Sequence, residues 1–167
     1  MRESEEKNMS KILYAGSFDP FTKGHKHLVD RAAKVFDGVV IAVFYNPKKD
    51  VGMFNLEERM KMIEEIYSGV ENIEVVKGEG LTVELAKLYE CKAMLRGLRN
   101  EEDFKGEIEL AQQNTLLSQD IETIAMFSDP KYNLLSSSFV KKVATMGDIT
   151  NLVDENVKVK VYEKLGK

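Results

Sequence analysis

Five short apolar runs, each separated from the next by a longer amphipathic stretch, constrain this chain more than any other feature. The runs are KILYAG (11–16), VVIAVFY (39–45), NIEVVK (72–77), AMLRGL (93–98) and IETIAMFS (121–128). They are β-branched or apolar almost throughout, as strands covered on both faces should be. The other stretches predict helices over 24–36, 55–68, 82–90, 101–118 and 137–146. Asn55 with Glu58 three residues on is a helix-start signature, and Leu56, Met60, Ile63, Ile66 and Tyr67 then recur at helical spacing. Strands and helices alternating in this way predict an α/β fold, a single doubly wound parallel sheet with helices on both faces. In such sheets ligands gather at the carboxyl ends of the strands, near the point where strand order reverses. The tail ENVKVKVYEKLGK reads two ways. Val157, Val159 and Val161 alternate like a strand, whereas Val157, Val161 and Leu165 make a helical stripe. A closing helix is expected.

The chain has 167 residues, enough for one domain with a core. No repeat, low-complexity tract or linker divides it, so residues 11–167 are expected to form a single domain. The start, MRESEEKNMS, is charged and has no apolar signal region; residues 1–10 are expected to be a flexible leader. No run approaches the roughly 18–20 apolar residues of a membrane span. The single Cys91 cannot form an intrachain disulfide, and no Cys/His cluster suggests zinc. A reduced cytoplasm is the expected location. The net charge of −4, from 24 basic and 28 acidic residues, argues against a general nucleic-acid binder and leaves room for a local cationic pocket.

The loop after the first run, AGSFDPFTKGH, leads into the first helix. In a doubly wound sheet that is a phosphate-binding position, because a helix amino end offers unpaired N–H groups and a partial positive charge. His25, one of only two histidines, stands at its mouth. Taken alone, it could as well be a capping or surface residue. His25 and His27 are two apart and face differently on a helix, which makes them a poor metal pair. Neither a Walker A loop nor a GxSxG elbow is present, and Gly78-Glu79-Gly80 lacks the third glycine of a dinucleotide loop. Other strand ends carry Lys48 and Lys49, then Arg96 and Arg99, then Ser136, Ser137 and Ser138. Each has an ordinary reading as a surface lysine or a capping serine. Arg96 stands within an apolar run, where an unpaired charge is expensive, and guanidinium suits phosphate through forked hydrogen bonds. Fold logic brings all of these to one edge of one sheet.

GSFDPFTKGH, RGLR and SSSFVK, in this order and at these separations, resemble the phosphopantetheine adenylyltransferase family, within the superfamily marked by (H/T)xGH, here Thr22-Lys23-Gly24-His25. The likeness runs from about Lys11 to Lys164 and takes in MFNLEERM, EDFKGEIELA and GDIT…ENV. It implies a Rossmann-like nucleotidyltransferase fold and adenylyl transfer from ATP to 4′-phosphopantetheine, giving 3′-dephospho-coenzyme A and pyrophosphate. It also implies magnesium, held mainly through the ATP phosphates with no protein metal ligand, a homohexamer, and coenzyme A as a feedback inhibitor. By the same resemblance Ser17, where the family more often has threonine, touches both substrates. His25 contacts the ATP phosphates and stabilises the transition state. Lys49 binds phosphopantetheine and the reacting phosphates, with Lys48 the alternative because the loop through Met53 is one residue longer than in some relatives. Thr82 and Arg96 bind the pantetheine substrate. Phe18, Gly97, Leu98, Arg99 and Glu107 bind ATP, as do Tyr132, Asn133, Leu134, Leu135, Ser136, Ser137 and Ser138. Lys23 replaces a common asparagine, Gly106 a residue often aromatic, and Thr82 a bulkier apolar one.

The chemistry suits that residue set. A phosphate nucleophile is already deprotonated at neutral pH, so no strong base is needed, and catalysis is the positioning of two anions with neutralisation of developing charge. Two other readings remain at this point: another adenylyl- or cytidylyltransferase of the superfamily, and a non-catalytic nucleotide-binding module.

Overall fold

A computed structural model of the chain describes residues 9–45 and 52–167. Its centre is β1 (Lys11–Gly16), flanked by β2 (Gly38–Phe44) and β4 (Cys91–Leu98), with β3 (Ile73–Gly78) and β5 (Glu122–Phe127) at the edges. All pairings are parallel and the order is β3-β2-β1-β4-β5. The chain winds outward from β1 to β3 and then crosses back to β4, so the reversal of order falls between β1 and β4. That places the expected ligand position at the carboxyl ends of those two strands.

The helices are α1 (Lys23–Val35), α2 (Leu56–Ile66), α3 (Thr82–Leu88), α4 (Glu101–Leu117), α5 (Ser137–Met146) and α6 (Glu155–Leu165), with a short 3₁₀ turn at Pro130–Tyr132. Alternate residues of a strand face opposite sides. Accordingly Ile12 and Tyr14 join one core with Ile41, Leu95 and the α1 residues Leu28, Val29 and Ala32, while Leu13 joins the other with Val40, Met94 and Val83 and Ala86 of α3. The start signal at Asn55 is realised as a reciprocal cap: Glu58 N–H donates to Asn55 Oδ1 and Asn55 N–H donates to Glu58 Oε2, both at 2.8 Å.

The tail closes as α6. Val157 and Val161 are fully buried against Val140 and Ala144 of α5 and Met62 of α2, while Val159 is exposed. The helical stripe wins over the alternation because it buries two side chains at roughly 1.5–3 kcal/mol each. The expectation that every strand is covered on both faces holds for β2, β1 and the middle of β4. It does not hold at the edges, where β5 leaves Phe127 78% exposed and β3 alternates between buried and open positions. Among the described residues no helix is long and apolar enough to cross a membrane.

Candidate active site

Thr22 is the N-cap of α1 and His25 is its third helical residue. Thr22 Oγ1 accepts from His25 N–H at 3.3 Å, and Thr22 N–H donates back to His25 Nδ1 at 3.0 Å. This is a capping box in which an imidazole takes the place of the usual Glu or Gln. A backbone N–H can only donate, so Nδ1 carries no proton, and the neutral ring keeps its proton on Nε2 at the opposite edge. Phe18 and Phe21 pack on the ring at 5.1 and 5.4 Å between centroids, with Tyr14 at 6.4 Å. Burial, assisted by the nearby Arg99 guanidinium, lowers the ring from its usual 6.5 to about 4. His25 is therefore an uncharged hydrogen-bond donor at neutral pH. His27 faces elsewhere, with its ring 5.2 Å from Tyr132.

The loop that carries this motif bends sharply. Phe18 adopts φ 48°, a left-handed conformation that residues with side chains seldom occupy. Its ring folds back over Gly16, where a Cβ would stand 2.8 Å from the ring carbons. Gly97 has a similar role on β4, since a Cβ there would come 2.6 Å from Leu28 Cδ1. Both glycines permit α1 and its entry loop to lie close against the strand ends.

Arg96 lies near the end of β4 and reaches Glu107 of α4 by a fork, with Nε donating to Oε2 at 2.6 Å and Nη2 to Oε1 at 2.9 Å. The pair answers how a charge can stand in an apolar strand, and it raises the Arg96 pKa. Arg99 makes a similar contact one turn earlier on α4, with Nε donating to Asp103 Oδ2 at 2.9 Å. Tyr14 is buried beside them, and desolvation pushes its hydroxyl well above the usual phenol range against the pull of Arg96 and Arg99.

The three serines divide their work. Ser136 caps α5, its Oγ accepting from Phe139 N–H at 3.1 Å. Ser137 Oγ donates to the Pro20 carbonyl at 2.8 Å, which ties the α5 amino end to the β1–α1 loop. Ser138 lines the adjoining space. The N–H groups of Ser137 and Ser138 come first in the helix, ahead of any intrahelical acceptor.

These parts enclose a cleft of about 340 Å³ between the amino ends of α1 and α5 and the end of β4. Of the predicted residues, Ser17, Phe18, His25, Arg96, Gly97 and Arg99 line it, together with Glu107, Tyr132, Ser136, Ser137 and Ser138. Leu98 is buried behind it, with its carbonyl accepting from Ser128 N–H at 2.8 Å. Asn133, Leu134 and Leu135 stay outside: Leu135 is packed in the α5–α6 core and Leu134 is exposed. Thr82 opens α3 and borders neither this cleft nor the next. Lys49 and Lys48 lie outside the described residues. Lys23 points away, its Nζ donating to the Thr150 carbonyl at 2.9 Å.

A second cleft, of about 380 Å³, adjoins the first and, among the described residues, shares Ser17, Ser137 and Ser138 with it. Its walls hold residues that sequence reasoning did not single out. Asp19 is buried and accepts from the N–H groups of Met53 and Phe54, each at 2.9 Å, and pairs with Lys141 at 3.3 Å. Arg59, also buried, belongs to the same wall. The one sequence signal for Asp19 was its place before Pro20. For Arg59 the signal was a charge on the buried face of an amphipathic helix.

Residues 13–143 match the cytidylyltransferase-like family. The phosphopantetheine adenylyltransferase of Finegoldia magna is 42% identical over 90% of this chain and 93% of its own length. That of Clostridium novyi is 40% identical over 95% of this chain and 99% of its own. The chain belongs to the phosphopantetheine adenylyltransferase family. The resemblance carried by TKGH, RGLR and SSSFVK is thereby borne out, and with it the expectation of a nucleotidyltransferase. In fold, a crystal structure from Vibrio parahaemolyticus, of a protein assigned as a nicotinate-nucleotide adenylyltransferase, superposes with a TM-score of 0.65 over 94% of this chain and 92% of that one. At 16% identity that likeness speaks to the fold alone. The doubly wound sheet is thus the fold of a nucleotidyltransferase, and in this member of the phosphopantetheine adenylyltransferase family the TxGH motif is physically a helix cap.

Proposed function

We propose that the protein transfers the adenylyl group of ATP to 4′-phosphopantetheine, forming 3′-dephospho-coenzyme A and pyrophosphate, the penultimate step of coenzyme A biosynthesis. The observation that carries this reading is a cleft beneath two helix amino ends that gathers His25, Arg96, Arg99, Ser137 and Ser138, in a chain whose relatives are named for this reaction.

The attacking phosphate oxygen approaches the α-phosphorus of ATP in line, and pyrophosphate departs. His25 donates from Nε2 to a phosphate oxygen of ATP and, being uncharged, keeps its proton throughout. The N–H groups at the starts of α1 and α5 face developing charge without reorganising. Arg96 holds the acceptor's phosphate, and Phe18, Gly97, Arg99 and Glu107 hold ATP with Tyr132, Ser136, Ser137 and Ser138. Lys49 bridges the two phosphates, and Thr82 meets the pantetheine arm.

Among the described residues no cluster of three or more His, Cys, Asp or Glu could hold a metal. The cleft's carboxylates, Asp103 and Glu107, are both engaged by arginines. This donor set suits a magnesium ion carried by the ATP phosphates and water, which would supply charge neutralisation there.

Residues 11–167 serve as one nucleotidyltransferase domain, working in the cytoplasm. A homohexamer accords with the apolar side chains left open on α4, β5 and the following loop, where Leu116, Phe127 and Leu134 are exposed. Coenzyme A joins the pantetheine and adenylate portions in one molecule, so it competes with the substrates as a feedback inhibitor.

The test is pyrophosphate release from purified protein with magnesium and ATP, with and without 4′-phosphopantetheine. Nicotinamide mononucleotide, and glycerol 3-phosphate with CTP, are the comparison substrates. Release that depends on phosphopantetheine is expected. Release only with another acceptor, or none from folded protein, overturns the reading.

A further inference from the structure

Arg59 stands on α2 and is 4% exposed. Its Nη1 donates to the carbonyl of Ser17 and, at 2.9 Å, to that of Phe44, while Nε donates to the Asn55 carbonyl at 3.2 Å. The parallel register of β1 and β2 runs to Gly16 against Val43, so Ser17 and Phe44 are the next pair. There the ladder between the strands ends and the chains diverge. The guanidinium enters at that point and supplies the donor that a further strand residue would have given.

The carbonyl of Ser17 belongs to the Ser17–Phe18 peptide. Fixing it fixes the approach to Phe18, which sits at φ 48° and whose ring packs at 5.1 Å on His25. Ser17 itself is part of the wall between the two clefts. Arg59 therefore acts on the loop from behind. Its hydrogen bonds go to main-chain carbonyls, while Asp19 serves the N–H groups of Met53 and Phe54 and the Lys141 ammonium. A buried charge is a poor way to fill volume, and an apolar side chain of like size does so without desolvating an ion. What a methionine cannot do is hold two carbonyls of neighbouring strands in register with a third segment.

We propose that Arg59 is a positioning residue for adenylyl transfer, clamping the Ser17–Phe18 peptide at the junction of the two clefts. The proposal rests on the adenylyl-transfer reading above. Its prediction is a loss in kcat rather than in substrate binding, because a displaced loop misaligns reacting groups that are still bound.

The experiment compares Arg59→Met, Arg59→Lys and Arg59→Gln with the wild type, each checked for native circular dichroism and scaled to its folded fraction. Arg59→Met should lower kcat by about 10- to 100-fold with KM for both substrates nearly unchanged. Arg59→Gln, whose amide has two N–H donors, should recover part of that loss; a structural role alone gives no such ordering in kcat. A folded Arg59→Met with wild-type kcat, or a loss confined to KM, overturns the proposal. Where Arg59→Met does not fold, the Lys and Gln variants decide by the same criteria. Independently of every variant, NMR couplings across the hydrogen bonds from Arg59 Nη1 to the Ser17 and Phe44 carbonyl carbons should be present in the wild type, and their absence overturns it. A wild type that uses a different acceptor defeats the substrate reading alone, and the variants are then compared on that acceptor.

Discussion

Thr22 N–H donates to His25 Nδ1 at 3.0 Å, and this one bond decides which ring nitrogen carries the proton. It explains the spacing of TKGH. The cap must be at the first position, its imidazole partner three residues on, and the ring then reaches the cleft from the first turn of α1. A residue that could have been either a cap or a phosphate ligand is the cap, and it lines the cleft as well.

The two roles separate by substitution. His25→Ala removes the cap partner and the donor, and kcat should fall by roughly 10²–10⁴-fold. His25→Gln keeps a side chain fit for a capping box, so its thermal midpoint should stay near that of the wild type while kcat falls comparably. Steady-state kinetics with thermal melts on both variants check this; near-normal kcat in either would remove His25 from the mechanism.

The same ring gives a pH signature in stability. Its folded pKa, about 4, lies below the unfolded value of 6.5. The neutral ring's contribution is therefore fully present above pH 6.5 and is lost as pH falls toward 4, because the unfolded chain takes up the proton first. Urea unfolding at a series of pH values should show the wild type losing more stability across that window than His25→Gln does. Parallel curves would contradict the buried neutral ring.

Arg96 and Glu107 form a fork with bonds of 2.6 and 2.9 Å in a half-buried cleft. Arg96→Ala should raise KM for the phosphorylated acceptor far more than KM for ATP. Arg96→Lys should not restore it, since an ammonium cannot make the paired contact. A double-mutant cycle with Glu107→Gln should give a stability coupling of about 0.5–3 kcal/mol. An unchanged acceptor KM in Arg96→Ala would defeat the assignment.

Asp19 carries a structural load that kinetics alone would miss. Asp19→Ala leaves the N–H groups of Met53 and Phe54 without their acceptor and should cost about 1–3 kcal/mol in urea unfolding. Gly16→Ala should cost a similar 1–3 kcal/mol, because the new Cβ meets the Phe18 ring. Full stability in Gly16→Ala would mean that the ring does not pack over β1 as described.

Much of this was legible in the sequence because it depends on periodicity. The β-branched runs and the amphipathic stretches between them set the element order, and the stripe of Val157, Val161 and Leu165 marked α6. The edge exposure of β5 was not legible, since strand order is a property of long-range pairing and not of any one run. Within the site, His25, Arg96 and the serines were singled out because their types suit phosphate and their positions fall at strand ends, and Ser17 through the family resemblance. Arg59 and Asp19 were not, because most of their partners are backbone groups of segments distant in sequence, and backbone groups leave no mark in a sequence. The pairing of Arg96 with Glu107 was hidden for a related reason: eleven positions apart, on a strand and a helix, they meet only through the β4–α4 turn.

The most direct measurement is of the His25 ring itself. In His27→Gln protein only one histidine remains, and its two ring nitrogens can be read by ¹⁵N NMR at pH 7. The predicted result is an unprotonated Nδ1 and a protonated Nε2, with the ring gaining charge only as pH approaches 4. A proton on Nδ1, or a ring already cationic at pH 7, would contradict the neutral donor on which the proposed mechanism rests.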